Sequence, residues 1–330
     1  MLARRHPGLD DIRAAAERIR GHVLRTPMAQ SAGLTERAGV PVHLKLESHQ
    51  RTGAFKLRGA TNAMLMLSED ECRRGVVAAS TGNHGRALAY AARAVGSKAT
   101  ICMSSLVPEN KVAEVRRLGA TVKIVGRSQD EAQEEVDRLV AEDGMIVVPP
   151  FDHADVIAGQ GTIGLEMIED LPDVETVLVQ VSGGGLASGI AAAVKALKPD
   201  TEIIGLTMDR GAAMKLSIDA GRPVAVEEYE SLADSLGGGI GLDNRLTFSM
   251  CSALLDDIVL VTEREIAEGI RHAYTEEREI SEGAGAIGIA AIFAGKVRLS
   301  GPTVVLLSGR NIDMTRHRHI INGGELEDAP

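Results

Sequence analysis

Three short stretches carry residue types that could do chemistry. ESHQRTGAFKLRGATNAML (47–65) sets Lys56 at the start of a helical pattern, behind Gly53 and Phe55 and two residues before Arg58. A lysine at a helix start is ordinarily solvated. One that is desolvated or crowded by cations has a lowered pKa, and its free amine can form a Schiff base. VVAASTGNHGRALAYAA (76–92) brings Ser80, Thr81, Gly82, Asn83 and His84 to a strand-to-helix corner. Hydroxyls, an amide and helix-start N–H groups converging there suit a carboxylate, although a capped helix with a satisfied histidine is an equal reading. VLVQVSGGGLASGIAAAVKAL (177–197) reads as strand, glycine loop and helix. Such a loop lets backbone approach an anion closely, or packs a helix tightly on a sheet.

The spacing Gly183, Gly185, Gly189, with Asp209 after the following strand, approaches a dinucleotide fingerprint. That reading needs no lysine. An amine nucleophile, one loop for a phosphate and another for a carboxylate form a set that pyridoxal phosphate with an amino-acid substrate requires.

These stretches sit in a chain of alternating β-branched runs and helical patterns. VHLKLE (42–47), GVVAAS (75–80), KATICM (98–103), TVKIV (121–125) and MIVVPP (145–150) read as strands, with helices near 56–67, 84–96 and through NKVAEVRRLG. Ser128 with Glu131, and Thr262 with Glu265, have the capping-box spacing. A restart of the repetition near residue 155 leads through a helix near 155–170 to the glycine loop, TEIIGL, an irregular 209–256, DIVLV, a glycine-rich helix (283–295) and PTVVLLS. Strands buried on both faces and separated by helices predict parallel sheets with right-handed crossovers, as two α/β lobes around a cleft.

Net charge of −10, no Trp and no long basic run argue against a nucleic-acid partner. No apolar run is long enough to span a bilayer, and the charged start MLARRHPGLDDIRAAAERIR lacks a signal-peptide core, so the cytoplasm is the expected location. Cys72, Cys102 and Cys251 read as reduced, packed thiols. HRH at 317–319 reads as a solvated C-terminal tail rather than a metal site.

TGAFKLRGA, STGNHG, SGGGL and SGRN, in this order between RTP (25–27) and SGRNID (308–313), resemble the motifs of the fold-type II pyridoxal-phosphate enzymes, and within them the threonine/serine dehydratases and serine racemases. Ala54 replaces the serine usual in the lysine motif. The resemblance implies a tryptophan synthase β-like α/β fold with the active site between the lobes. It divides the chain into a large cofactor-binding domain (1–48 and 153–330) and a small substrate-side domain (49–152). It implies pyridoxal 5'-phosphate as cofactor, with Lys56 as Schiff-base lysine and catalytic base, Asn83 on the ring hydroxyl and Phe55 beside the ring. Ser182, Gly183, Gly184, Gly185 and Leu186 would hold the phosphate and Ser308 would face the pyridine nitrogen. Ser80, Thr81, Asn83 and His84 would grip the substrate carboxylate.

The implied reaction is β-elimination from a β-hydroxy amino acid. Thr81, where racemases of the family carry an acid/base serine, makes racemisation less expected. Thr207, Gly211 and Ala213 stand where the family's divalent-cation ligands fall, so no metal is expected there. Arg310 replaces a usual glycine and adds a cation near the ring-nitrogen side. The chain ends soon after Ser308, which implies no regulatory domain and a catabolic role. ADSLGGGIGLDNRLTF (233–248) is similar to the hydroxyectoine-utilisation dehydratases, with Asp243, Asn244 and Arg245 either reading the substrate or forming a surface turn. The alternatives are a threonine/serine or 3-hydroxyaspartate ammonia-lyase, a serine racemase, a nucleotide-dependent oxidoreductase and a non-catalytic binding protein. The family implies a homodimer.

Overall fold

A computed structural model of the chain describes residues 5–324 apart from Thr81, Pro108 and Ser128, and apart from the side chains of Asn110, Gln129 and Asp130. Among the described residues the strands are β1 (Met28–Gln30), β2 (Val42–Leu46), β3 (Val76–Ala79), β4 (Ala99–Met103), β5 (Thr121–Ile124), β6 (Ile146–Val147), β7 (Thr176–Gln180), β8 (Glu202–Met208), β9 (Asp257–Val261) and β10 (Thr303–Leu307). They form a six-stranded sheet in the order β1-β2-β10-β7-β8-β9 and a four-stranded sheet in the order β5-β4-β3-β6. All pairings are parallel except that of β1, an antiparallel edge strand on β2 too short to have been legible in the sequence.

Both faces of the large sheet are covered, which is why its central strands are apolar throughout. Along β7 the alternation of side chains sends Val177 and Val179 into the core shared with the Gly185–Leu197 helix. Leu178 goes to the opposite core, with Leu44, Val305 and Leu307, under the Glu263–Thr275 and Gly283–Phe293 helices. The small sheet repeats this plan. Val76, Ala78, Ile101 and Met103 pack against the Lys56–Leu65 and Asn83–Ala94 helices, and Val77 and Cys102 against Ala132, Val136 and Leu139.

The Thr262 capping box forms, with the Thr262 hydroxyl accepting from the Glu265 N–H; Ser128, start of the other expected box, lies outside the described residues. MIVVPP yields only the two residues of β6, because Pro149 and Pro150 have no N–H for a ladder. The irregular 209–256 stretch contains helices Ala213–Asp219 and Thr247–Leu254. HRH is not a solvated tail. It lies on the helix Met314–Ile321, whose N-cap Asp313 accepts from Thr315 and Arg316, and His317 is buried with its ring edge-on to Tyr274. No helix among the described residues is long and apolar enough to cross a membrane.

A buried ion network fixes the helix that begins at Lys56. Arg58 donates to Glu47 at 2.7 and 2.9 Å and to Glu166 at 2.6 and 2.9 Å, and Lys45 Nζ lies 2.7 Å from Glu166. Burial works to lower the Arg58 pKa, but the two carboxylates outweigh it and raise the guanidinium above its ordinary value.

Candidate active site

The ends of β3, β7 and β10 deliver the three motifs. Asn83 opens the helix after β3, the Ser182–Leu186 loop follows β7, and Ser308, buried, follows β10. Carboxyl ends of parallel strands are where open α/β sheets bind ligands. The lysine loop is anchored to the last of these. Ala54 bridges Gly309, Phe55 N donates to Ser308 O at 3.0 Å, and Arg310 N donates to Gly53 O at 2.9 Å.

Lys56 lines this space, with Nζ donating to the Pro150 carbonyl at 2.7 Å. Protein atoms crowd the amine although part of the side chain remains reachable, and this desolvation lowers its pKa to about 8. Of the two routes to an activated lysine, burial is the operative one. The neighbouring Arg58 is neutralised by Glu47 and Glu166.

The carboxylate corner is built around Ser80. Its Oγ accepts from Gly85 N at 2.9 Å and Gly82 N at 3.4 Å, so the hydroxyl caps the helix and keeps its own proton to donate. His84 Nε2 lies 2.7 Å from the Val148 carbonyl, which can only accept, so this nitrogen carries the proton. Burial, then the nearby Lys56 charge, push the imidazole pKa down to about 3 against that hydrogen bond. His84 is neutral, and its Nδ1 is buried without a partner among the described residues. It therefore offers a ligand its backbone N–H or a bare acceptor, not a charged donor. Thr81 lies outside the described residues.

The glycine loop has a reason for each glycine. A Cβ at Gly183 would clash with the Phe151 ring, and one at Gly185 would lie 2.9 Å from the Phe151 Cα. Gly184 has φ +86°, and its Cβ would meet Met214 Cε at 2.7 Å and Cys251 Sγ and Thr247 Cβ at 2.9 Å. Backbone alone can occupy this seam. The N–H groups of Gly185 and Leu186 open a helix and those of Ser182, Gly183 and Gly184 precede it, so none has an intrahelical carbonyl to donate to. Such a donor set suits a phosphate. Gly189 serves a different end: it packs against Gly161 of the Ala154–Asp170 helix. Asp209 is exposed, and its N–H belongs to the β9 ladder.

Sequence reasoning missed Glu282. It is buried, and Oε1 accepts from Asn83 Nδ2 at 2.7 Å while Oε2 accepts from Asn311 N at 3.1 Å. Asn311 Nδ2 donates in turn to Asn83 Oδ1 at 2.6 Å and to the Thr52 carbonyl at 2.9 Å. Burial, and secondly the Asp234 charge, push Glu282 up to about 7 against the hydrogen bonds from Asn83, Asn311 and Ser235. In the sequence it is one carboxylate before a glycine-rich helix, with nothing to mark it.

Other expectations shift. Arg310 is exposed, so its contribution is the backbone bond to Gly53. Asn244 is consumed within its own turn, donating to Ile240 O and Thr247 Oγ1 and accepting from Phe248 N. Asp243 and Arg245 are exposed, which makes 243–245 a turn at the start of a helix. No cluster of three His, Cys, Asp or Glu positioned to hold a metal occurs among the described residues.

Comparison with known proteins agrees with this geometry. The family described as pyridoxal-phosphate dependent enzyme matches residues 19–309. A protein of Sinorhizobium fredii, provisionally described as a threonine dehydratase, is 67% identical over 316 residues, covering 96% of this chain and 95% of the relative. L-threonine ammonia-lyase of Thermotoga maritima is 43% identical, over 96% of this chain and 78% of the relative. Maize serine racemase superposes with a TM-score of 0.90 at 30% identity, covering 97% of this chain and 99% of that one. The processed form of threonine deaminase isoform 2 from Solanum lycopersicum gives 0.87 at 34% identity, over 98% and 92%. The dinucleotide reading of the glycine loop is thereby overturned, for its third glycine is a helix-packing residue and the matching family binds a different phosphate.

Proposed function

We propose an activity from one premise: this chain belongs to the pyridoxal-phosphate dependent enzyme family. The reaction is β-elimination from a β-hydroxy amino acid of the threonine type, giving a keto acid and ammonium. The observation that carries it is the desolvated Lys56 amine, set among a helix-start corner for a carboxylate and a glycine loop for a phosphate. The names of the relatives support the same class, with threonine as substrate.

The residues present fit the cofactor. Ser182, Gly183, Gly184, Gly185 and Leu186 would hold its phosphate through N–H groups in a seam no side chain could enter. Asn83 sets Nδ2 2.7 Å from Glu282 Oε1 and 3.5 Å from Ser235 Oγ, with its oxygen on Asn311, so the ring oxygen would replace only the long contact to Ser235. Phe55 would lie beside the ring and Ser308 at its nitrogen. Pyridoxal 5'-phosphate, when bound, supplies a carbonyl for amines and a sink for the electron pair left at Cα. Lys56 needs its amine unprotonated, and a pKa of about 8 gives it a far larger neutral fraction near pH 7 than an ordinary lysine has. That amine then takes the Cα proton at Nζ. The Ser80 hydroxyl and the N–H groups of Asn83 and His84 would orient the substrate carboxylate, together with Thr81. Ser308, a neutral partner, would leave the ring nitrogen unprotonated, which favours prompt loss of the β-hydroxyl.

The division into a 1–48 and 153–330 domain and a 49–152 domain, a homodimeric state and a cytoplasmic location accompany this reading. Within the substrate class, the resemblance of 233–248 supports a hydroxyectoine-derived β-hydroxy amino acid and a catabolic role. Serine racemisation is the second reading, supported by the likeness to maize serine racemase. Borohydride reduction of the holoenzyme followed by peptide mapping tests the premise: the pyridoxyl label belongs on Lys56. Keto-acid release from threonine, serine, 3-hydroxyaspartate and hydroxyectoine-derived amino acids then ranks the substrates, and D-serine formation without keto acid would replace elimination by racemisation. Sedimentation velocity decides the oligomeric state.

A further inference from the structure

We propose that Asp152 is a positioning residue for the phosphate loop, acting through the helix Thr247–Leu254. This rests on reading Ser182–Leu186 as the loop that holds the cofactor's phosphate.

Three consecutive backbone N–H groups converge on this one carboxylate. Arg245 N donates to Asp152 Oδ2 at 2.9 Å, and Leu246 N and Thr247 N donate to Oδ1 at 2.9 Å each. The donors lie up to 95 residues further along the chain. Their acceptor is therefore not a local cap but a clamp between distant segments. Bonds to an ionised acceptor are roughly twice as strong as neutral ones, and a helix N-terminus favours the negative charge.

What the clamp holds is the outer wall of the glycine loop. Thr247 and Cys251 are among the residues a Cβ at Gly184 would strike. The Ser188 hydroxyl, on the helix after the loop, donates to the Thr247 carbonyl at 3.4 Å, and Cys251 Sγ lies 3.7 Å from Gly184 O. Phe151, the neighbour of Asp152, forms the opposite wall against Gly183 and Gly185. Residues 151 and 152 thus set both walls of the seam, while Pro150, one residue earlier, accepts from the Lys56 amine. A three-residue segment connects the amine to the phosphate loop. The donors at the start of the Thr247–Leu254 helix are spent on Asp152, which leaves anion binding to the Gly185–Leu197 helix.

The consequence is selective. Loosening the clamp releases the Gly184 wall and weakens grip on a phosphate, whereas the Lys56 amine and the ring contacts stay as they are. Apoenzyme of the wild type, Asp152→Asn and Gly184→Ala is titrated with pyridoxal 5'-phosphate and, separately, with pyridoxal, which lacks the phosphate. Asp152→Asn is expected to raise the Kd for pyridoxal 5'-phosphate about tenfold and to leave that for pyridoxal within about twofold. Equal weakening of both, no weakening of either, or failure of Asp152→Asn to fold each overturns the proposal, since Asp152 is then a residue of the general fold or of nothing. Gly184→Ala separates the two layers. If it leaves pyridoxal 5'-phosphate affinity unchanged, the reading of the loop itself fails. If it weakens that affinity while Asp152→Asn does not, the loop stands and only the clamp is wrong.

Discussion

Asn83 Nδ2 lies 2.7 Å from Glu282 Oε1, and this contact joins the helix after β3 of the small sheet to the glycine-rich helix packed on the large one. The Thr52 carbonyl only accepts, so Asn311 Nδ2 faces it and Asn83 Oδ1 together, which turns the Asn83 nitrogen toward Glu282. Two side chains that sequence reasoning did not connect thereby decide which end of Asn83 meets a ligand.

Lys56→Ala should abolish borohydride-fixed pyridoxyl label and reduce keto-acid release by about 1,000-fold or more, because both nucleophile and base are lost. Thermal unfolding of the apoenzyme should change little, since the wild-type amine makes one hydrogen bond, to Pro150. Retained activity with the label elsewhere would remove Lys56 from its role.

Glu282 and His84 give opposite pH slopes to stability. The Glu282 pKa is raised to about 7, so its contribution is full below the ordinary carboxylate value and is lost as pH rises through about 7. The His84 pKa is depressed to about 3, so its contribution is present above the ordinary imidazole value and is lost as pH falls toward about 3. The two partly cancel between about pH 5 and 6.5. The readout is therefore the difference between wild type and Glu282→Gln: the variant should gain relative to wild type between pH 5 and 7, by about 3 kcal/mol at most. A pH-independent difference in urea midpoints would show that Glu282 does not titrate in that range.

Arg58→Leu should destabilise by about 3–5 kcal/mol, because it leaves the buried Glu47 and the partly buried Glu166 without their guanidinium. Adding Glu47→Gln should recover part of that loss. Urea unfolding of the single and double variants checks it, and strict additivity would mean that the pair is uncoupled.

Gly189→Ala should cost about 1–3 kcal/mol by overpacking against Gly161. Pyridoxal 5'-phosphate affinity of the folded variant should stay close to wild type. A selective loss of that affinity at unchanged unfolding temperature would return Gly189 to the phosphate site.

Much of this was legible because local rules act over short stretches. β7 and β10 were apparent as uninterrupted β-branched runs, and a parallel strand covered on both faces has no polar side to show. The Thr262 box and the strand-loop-helix around Gly184 follow from capping and backbone requirements that span a few residues. Hidden residues share one property: their partners are far along the chain. Glu282 lies 199 residues from Asn83, and Asp152 reaches 95 residues to Thr247. HRH misled for the same reason, since only the docking of its helix beside Tyr274 makes His317 a core residue.

The sequence by itself determined the α/β order, the lysine at a helix start and two strand-to-helix corners, because each is set by propensity, periodicity and the steric needs of neighbouring residues. Tertiary structure alone decided that burial rather than Arg58 lowers the Lys56 pKa, that His84 is neutral, that Glu282 pairs with Asn83, and that Asp152 accepts from three distant N–H groups. Desolvation and hydrogen-bond pairing depend on which distant groups fill the space around an atom, and a linear order of residues does not contain that space.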